Sequence, residues 1–279
     1  MLPELPATSK SKNYEYIIND YNSYASIFNY PKSDAQIGTI NNVGGQGCTN
    51  VLYGYGKKIF WILAGDKQIT EYQVPQKPLK TLSYTAGQPS SCAIDASGDL
   101  AIGILTGFPN GAGNVVIFKN ASGSPTVIPT QLSNEFFDGY DPKGNLFADG
   151  YITVGHETNF GLVEIPKGST TSEQITTSNF VEAAPGAVQW DGKYLTVEDQ
   201  DKSVIYQYTI HGTKAHLKGT VTLSGAGDCA QTWIATGVVY CADAENNNGS
   251  VYTYPAGGSP LAILTGNFDL PLGTVAVEK

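Results

Sequence analysis

The stretch AGDCAQTWIATGVVYCADAENNNGSVYTYPAGGSP, Ala226 to Pro260, decides the fold. It holds an apolar run from Cys229 to Ile234, a Thr236-Gly237 pair, and a second apolar run from Val238 to Ala242. An acidic polar segment follows, then a third run from Ser250 to Tyr254 and a Pro-Gly turn. Short β-branched and aromatic runs bounded by Gly, Pro, Asn and Asp are the signature of antiparallel strands. The Gly-containing pair between the first two predicts a tight hairpin, because such turns need positive φ.

Degenerate copies of this unit fill the chain. The Tyr-Pro that ends its third strand recurs as Tyr30-Pro31, Val74-Pro75 and Ile165-Pro166. Phe118-Lys119 and Tyr208-Thr209 stand in the same place elsewhere. The landmarks fall at 31, 75, 119, 166, 209 and 255, a period of roughly 43 to 47 residues, the length of a four-stranded propeller blade. Hairpin turns at Gly98-Asp99, Gly144-Asn145, Asp191-Gly192 and Thr236-Gly237 keep the same phase. The first copy lacks its opening strand, since Tyr14 starts at what is the second strand elsewhere. The C-terminus supplies an orphan opening strand, Leu270 to Val277. Pairing the two closes a ring and leaves no interface between repeats uncovered. The expectation is an all-β, six-bladed β-propeller over residues 14–279, closed by the C-terminal strand within the N-terminal blade, after a flexible arm over 1–13. An open array or two β-sandwiches is the alternative.

Composition agrees with a sheet protein: 41% of residues are hydrophobic, only 15% are charged, and Gly and Tyr are abundant. A formal charge of -9 with scattered lysines argues against nucleic-acid or anionic-membrane partners. No apolar run approaches the roughly 18 residues of a membrane helix, so membrane insertion is not expected. The start, MLPELPATSKSKN, has no apolar signal-peptide core. Low charge with Tyr/Thr/Asn-rich strands points to a secreted or periplasmic chain whose signal peptide is missing from this sequence.

The units AGQPSSCAIDASGDLAIGI, EFFDGYDPKGNLFADGY, PGAVQWDGKYLTVEDQDKSVIYQYTI and GSVYTYPAGGSP resemble NHL-type and SMP-30/gluconolactonase-like six-bladed propellers. They are similar also to secreted bacterial repeat proteins with the phrases GNL(F/Y)xxD and YPAGGSP. The resemblance spans Tyr14 to the C-terminus and speaks to fold more than to chemistry, because one superfold hosts many functions.

Two sets of acids are candidates for chemistry. Asp20, Asp66, Asp149, Asp199 and Asp243 each end the second strand of a copy, where the third copy has Gly103-Ile104. A ring of carboxylates that holds a cation is one reading. The other is that each Asp accepts backbone N–H bonds from its own loop, and repetition favours the latter. The connections that feed the channel mouth differ from copy to copy and carry Gln46, Gln88, Glu135, Glu182, Asp228 and Asp269. Glu182, in VEAAPGAVQW, matches the metal-binding Glu of the SMP-30/gluconolactonase pattern, with two extra alanines. What the resemblance implies is a possible Ca²⁺ at the central channel held by Glu182, Asp228 and Asp199; no cofactor is expected otherwise. HExxH, GxSxG, P-loop and Rossmann motifs are absent. His156, His211 and His216 read as surface residues. Trp61 and Trp190 read as packing, and Trp233 as partly exposed.

The four cysteines allow three pairings. Cys229 and Cys241 face each other across one hairpin, and Cys48 and Cys92 hold equivalent places in adjacent copies. Both pairs are expected as disulfides in an oxidising compartment, with buried free thiols as the reducing alternative. The function expected is a non-catalytic, extracytoplasmic binding propeller. Its small ligand or protein partner would meet channel-mouth residues Glu182, Asp228, Gln46, Gln88, Asp199 and Trp233, with Thr106–Asn114 and Tyr151–Phe160 as long recognition loops. A Ca²⁺-dependent lactonase and a structural cell-surface or filament protein are the rivals.

Overall fold

The structure is a computed structural model that describes residues 13–19, 23–50, 58–64, 67–107, 112–178 and 184–278. The strands follow one another as antiparallel meanders. The first contains β1 (Asn13–Asn19), β2 (Tyr24–Asn29) and β3 (Ser33–Asn41), and the second β4 (Gly47–Cys48), β5 (Ile59–Ala64), β6 (Gln68–Gln73) and β7 (Lys77–Ser83). The third contains β8 (Gly87–Ile94), β9 (Leu100–Gly107), β10 (Ala112–Phe118) and β11 (Thr126–Pro129). The fourth contains β12 (Asn134–Tyr140), β13 (Leu146–Val154), β14 (Glu157–Ile165) and β15 (Glu173–Ser178). Next come β16 (Val188–Trp190), β17 (Leu195–Asp199), β18 (Val204–His211) and β19 (Lys214–Thr222). The last full meander is β20 (Cys229–Ala235), β21 (Val238–Asp243), β22 (Asn248–Thr253) and β23 (Ala262–Leu264), and the chain ends in β24 (Pro271–Glu278). The Thr236-Gly237 hairpin is present, with Gly237 at φ 77°.

The orphan strand closes the ring. β24 pairs antiparallel with β1, Val275 opposite Tyr16 and Val277 opposite Tyr14, and the sheet runs β24-β1-β2-β3. Val275 and Val277 are fully buried, so the strand brings about 1.5–3 kcal/mol of apolar burial per valine besides its hydrogen bonds. The count of separate sheets departs from the six expected. Hydrogen bonding produces four four-stranded sheets and one of eight, ordered β12-β13-β14-β15-β19-β18-β17-β16. Within the sheet its two halves are joined by a three-residue parallel pairing, Thr176–Ser178 against Lys214–His216. An outer strand carries an edge of backbone groups that calls for cover, and this pairing covers two such edges at once. Where edges stay open, as on exposed β7, lysines and a proline (Lys77, Pro78, Lys80) guard them.

Aromatic and β-branched side chains fill the space between neighbouring sheets. Tyr16 stacks on Phe60 at 4.0 Å, and the Tyr16 hydroxyl donates to the Pro75 carbonyl at 2.8 Å, which ties the first sheet to the second. Trp61 is fully buried in this core. Both expected disulfides are present. Cys48–Cys92 joins the opening strands of adjacent sheets, and Cys229–Cys241 crosses the β20–β21 hairpin. Two expectations about loops change. Tyr151–Phe160 is not a long loop: β13 and β14 stay paired out to Val154 opposite Glu157, and only Gly155-His156 turns. Of Thr106–Asn114, the middle lies outside the described residues, and Ala112 onward is already strand β10. The arm expected over 1–13 likewise falls outside them, apart from Asn13, which opens β1.

Candidate functional site

The opening strands of the sheets line the centre, and side chains knit the end of each to the next. Asn50 Nδ2 donates to the Ile94 carbonyl at 2.8 Å, and Ser91 Oγ donates to Asp138 Oδ2 at 3.1 Å. Gly139 lies so close to the Val188 carbonyl that a Cβ there would meet it at 2.3 Å. Gln189 closes the series: its Nε2 donates to the Ile234 carbonyl and its Oε1 accepts from the Ile234 N–H, each at 2.8 Å. Above these joints opens a small depression of about 40 Å³ lined by Thr49, Asn50, Asp138, Tyr140, Trp190 and Trp233 among others. The lining comes from the far ends of the opening strands, next to the first hairpin of each sheet. The connections that lead into these strands approach the opposite end.

Behind the depression the interior is acidic. Asp138 and Glu135 sit on β12; Ser90 Oγ donates to Glu135 Oε2 at 2.5 Å. Burial, and then the charge of Asp138, pushes the Glu135 carboxyl well above its ordinary range. Burial pushes Asp138 up to about 7. Room for Glu135 comes from the neighbouring sheet: a Cβ on Gly103 would lie 2.3 Å from its Oε2, and one on Gly113 2.7 Å from its Cβ. This explains why the third copy has Gly103 where the others have an acid. Farther round, Glu198 accepts from Thr232 N–H, Thr232 Oγ1 and Ala187 N–H, yet burial still lifts it to about 8. Glu15 is fully buried, accepts from Thr274 Oγ1, and is raised by burial as well.

The repeated aspartates behave as loop anchors where they are described. Asp149 accepts from Phe137 N–H at 3.1 Å and Gly186 N–H at 3.0 Å; burial nevertheless raises its carboxyl. Asp243 accepts from Gly227 N–H and Asn246 N–H, each at 3.0 Å. Asp199 pairs with Lys202 Nζ at 2.7 Å. Asp20 and Asp66 lie outside the described residues.

Of the six channel-mouth residues read from the sequence, Trp233 alone lines the depression. Gln46 is buried and Gln88 exposed, both at the entering end of the opening strands. Asp228 is half-buried beside Asp201, Asp243 and Glu245, and Glu182 lies outside the described residues. Among the described residues no three His, Cys, Asp or Glu side chains gather as a metal site. The described members of the calcium set do not fit an ion either, since Asp199 already holds Lys202. Trp190, read as packing, is half-exposed in the depression, and Asp138 and Tyr140 were missed. Their signal was present: Tyr140 ends the opening strand of its copy and Trp190 ends the next, the position Trp233 approaches in its own. The three histidines are exposed, as expected.

Comparison with solved structures finds likeness over nearly the whole chain. A chain in the crystal structure of a nidogen/laminin complex superposes with TM-score 0.68 at 12% identity, over 95% of this chain and 98% of that one. A functionally unknown protein from Desulfotomaculum acetoxidans DSM 771 gives 0.59 at 12% identity, over 96% and 88%. The fold is a β-propeller. At such identity the likeness shows fold alone. No family model and no curated protein matches the chain, so the resemblance to NHL and SMP-30/gluconolactonase propellers narrows to the propeller itself.

Proposed function

We infer that the chain is a six-bladed, extracytoplasmic propeller that binds a small ligand or a partner's side chain at the channel mouth and catalyses nothing itself. In this reading the eight-stranded sheet is two blades joined at their outer rims. The observation that carries the function is the depression where Trp190, Trp233 and Tyr140 gather around Asp138 on a rigid, disulfide-braced ring. A concave site where apolar and aromatic side chains surround convergent polar groups, here Thr49, Asn50, Asp138 and Gln189, has the ordinary form of a binding site. Two disulfides support an oxidising compartment. The nidogen/laminin neighbour, a propeller in a protein complex, is in keeping with a recognition role.

Ligand-induced thermal shift across a library of small metabolites tests this reading, since a ligand that binds only the folded state raises the Tm. A hit should lose its shift in Trp190→Ala, with the Tm of the unliganded variant as the control for folding. Lactone hydrolysis that disappears on chelation would replace this reading with the calcium-dependent hydrolase.

A further inference from the structure

Away from the mouth, the hairpin of β18 and β19 brings two of the chain's three histidines together. His211 ends β18 and stands opposite Lys214 in the ladder, and His216 lies two residues farther along β19, opposite Thr209. Residues two apart on a strand share a face, and so do cross-strand partners. His211 and His216 are therefore diagonal neighbours on one side of the sheet, while Ala215, between Lys214 and His216, points inward and is buried. The two ring centroids are 5.7 Å apart, and both residues are exposed. Among the described residues neither imidazole has a hydrogen-bond or ion-pair partner, so the ring nitrogens are open to a ligand.

The backbone beneath the pair is held from both sides. β19 is paired with β18 across the hairpin and, from Lys214 to His216, with β15 through the parallel seam. Ligands already fixed in place lose little freedom when they bind. The spacing suits a shared ion. A metal takes imidazole nitrogen at about 2.0–2.1 Å, which sets two rings on one tetrahedral centre with centroids about 5 Å apart. Small rotations of two exposed side chains close the difference from 5.7 Å. Imidazole suits Cu²⁺, Zn²⁺ and Ni²⁺, whereas Ca²⁺ and Mg²⁺ take oxygen ligands. Lys214 opposes any cation here, because it adds a positive charge to the same face.

We propose that His211 and His216 together chelate a divalent ion of the late first-row transition series, with water in the remaining positions. Cu²⁺ binds most tightly, as the general order of affinities for nitrogen ligands requires. The site is independent of the channel mouth and of the buried acids around it, and it involves no third side chain.

Cu²⁺ and Zn²⁺ are titrated by calorimetry into the full, untagged chain in a buffer that does not chelate them. The double variant His211→Gln/His216→Gln sets the baseline for ions held adventitiously elsewhere, and the Tm of each metal-free variant checks that the exposed substitutions leave the fold intact. The expected result is a single Cu²⁺ above that baseline, tighter than Zn²⁺ and not displaced by excess Ca²⁺. His211→Gln or His216→Gln alone should weaken it at least about tenfold, because the second nitrogen no longer acts as a tethered ligand. His156→Gln, at the β13–β14 turn, should leave it unchanged. Lys214→Gln should tighten it by removing the opposing charge. Electron paramagnetic resonance of the Cu²⁺ complex should show two nitrogen ligands, falling to one in either single variant. A native titration indistinguishable from that of the double variant overturns the proposal. So does binding that survives both single variants undiminished, or that is lost in His156→Gln.

Discussion

Replacing Glu198 by Gln should change how stability depends on pH. Glu198 lies fully buried on β17; its Oε2 accepts from Thr232 N–H at 3.0 Å, Thr232 Oγ1 at 2.9 Å and Ala187 N–H at 3.2 Å, and its Oε1 has no donor. Burial prevails over these donors and lifts the carboxyl from 4.5 to about 8. The folded chain thus keeps a proton that the unfolded chain releases above 4.5. Below that pH both states are protonated and nothing is lost. Between the two values the folded state binds more protons, so stability falls as pH rises, by about 1.4 kcal/mol per pH unit. At pH 7 the loss is about 3 kcal/mol, and it levels off near pH 8. Glutamine keeps an acceptor for the three donors and cannot ionise. Glu198→Gln should therefore gain on the native chain by about 3 kcal/mol between pH 4.5 and 7, equivalent to about 5 °C in Tm for a chain of this length. Urea or thermal unfolding of both proteins from pH 4.5 to 8.5 measures it. A difference that stays flat over this range, or shrinks with rising pH, refutes the buried-proton account.

Three further outcomes follow from the packing. Loss of the Cys48–Cys92 bridge, whose cysteines are 44 residues apart, should cost about 4 kcal/mol by loop-closure entropy, against about 3 kcal/mol for Cys229–Cys241 at a separation of 12; denaturant midpoints of the Cys→Ala pairs check the order. Gly103→Ala should destabilise by about 1–3 kcal/mol through its clash with Glu135, and the same change in a Glu135→Ala background should be nearly free. A chain truncated after Leu270 loses β24, bares the edge of β1 and the core beside it, and should aggregate or fail to show a cooperative melt.

Much of the architecture was legible because repetition is visible in one sequence. The strands around Thr236-Gly237, the seating of the C-terminal strand beside the first and the Cys48–Cys92 bridge follow from phase, since equivalent positions in successive copies occupy equivalent places, and Cys229–Cys241 follows from its hairpin. The parallel seam between β15 and β19 was not legible. It depends on two outer edges coming within hydrogen-bonding reach, and that is set by the angles between packed sheets rather than by any residue pattern. The Tyr151–Phe160 segment shows a different failure. Its polar, glycine-containing sequence reads as loop, yet the cross-strand ladder continues through it because every backbone group finds a partner.

The site was hidden for a related reason. Repetition makes the acid at the end of each second strand conspicuous, but Asp149 and Asp243 use that prominence to hold backbone. What sets the centre apart lies one strand inward, where the far end of each opening strand recurs as a position but its side chain, Tyr140 in one copy and Trp190 in the next, changes. Gly103 joins the two levels. In its own copy it looks like a lost carboxylate, while in space it is the gap that lets Glu135 from the next sheet sit beside Asp138. One departure from the repeat therefore makes room for the acid pair behind the aromatic mouth, and a reader who ranks positions by their recurrence will pass over both.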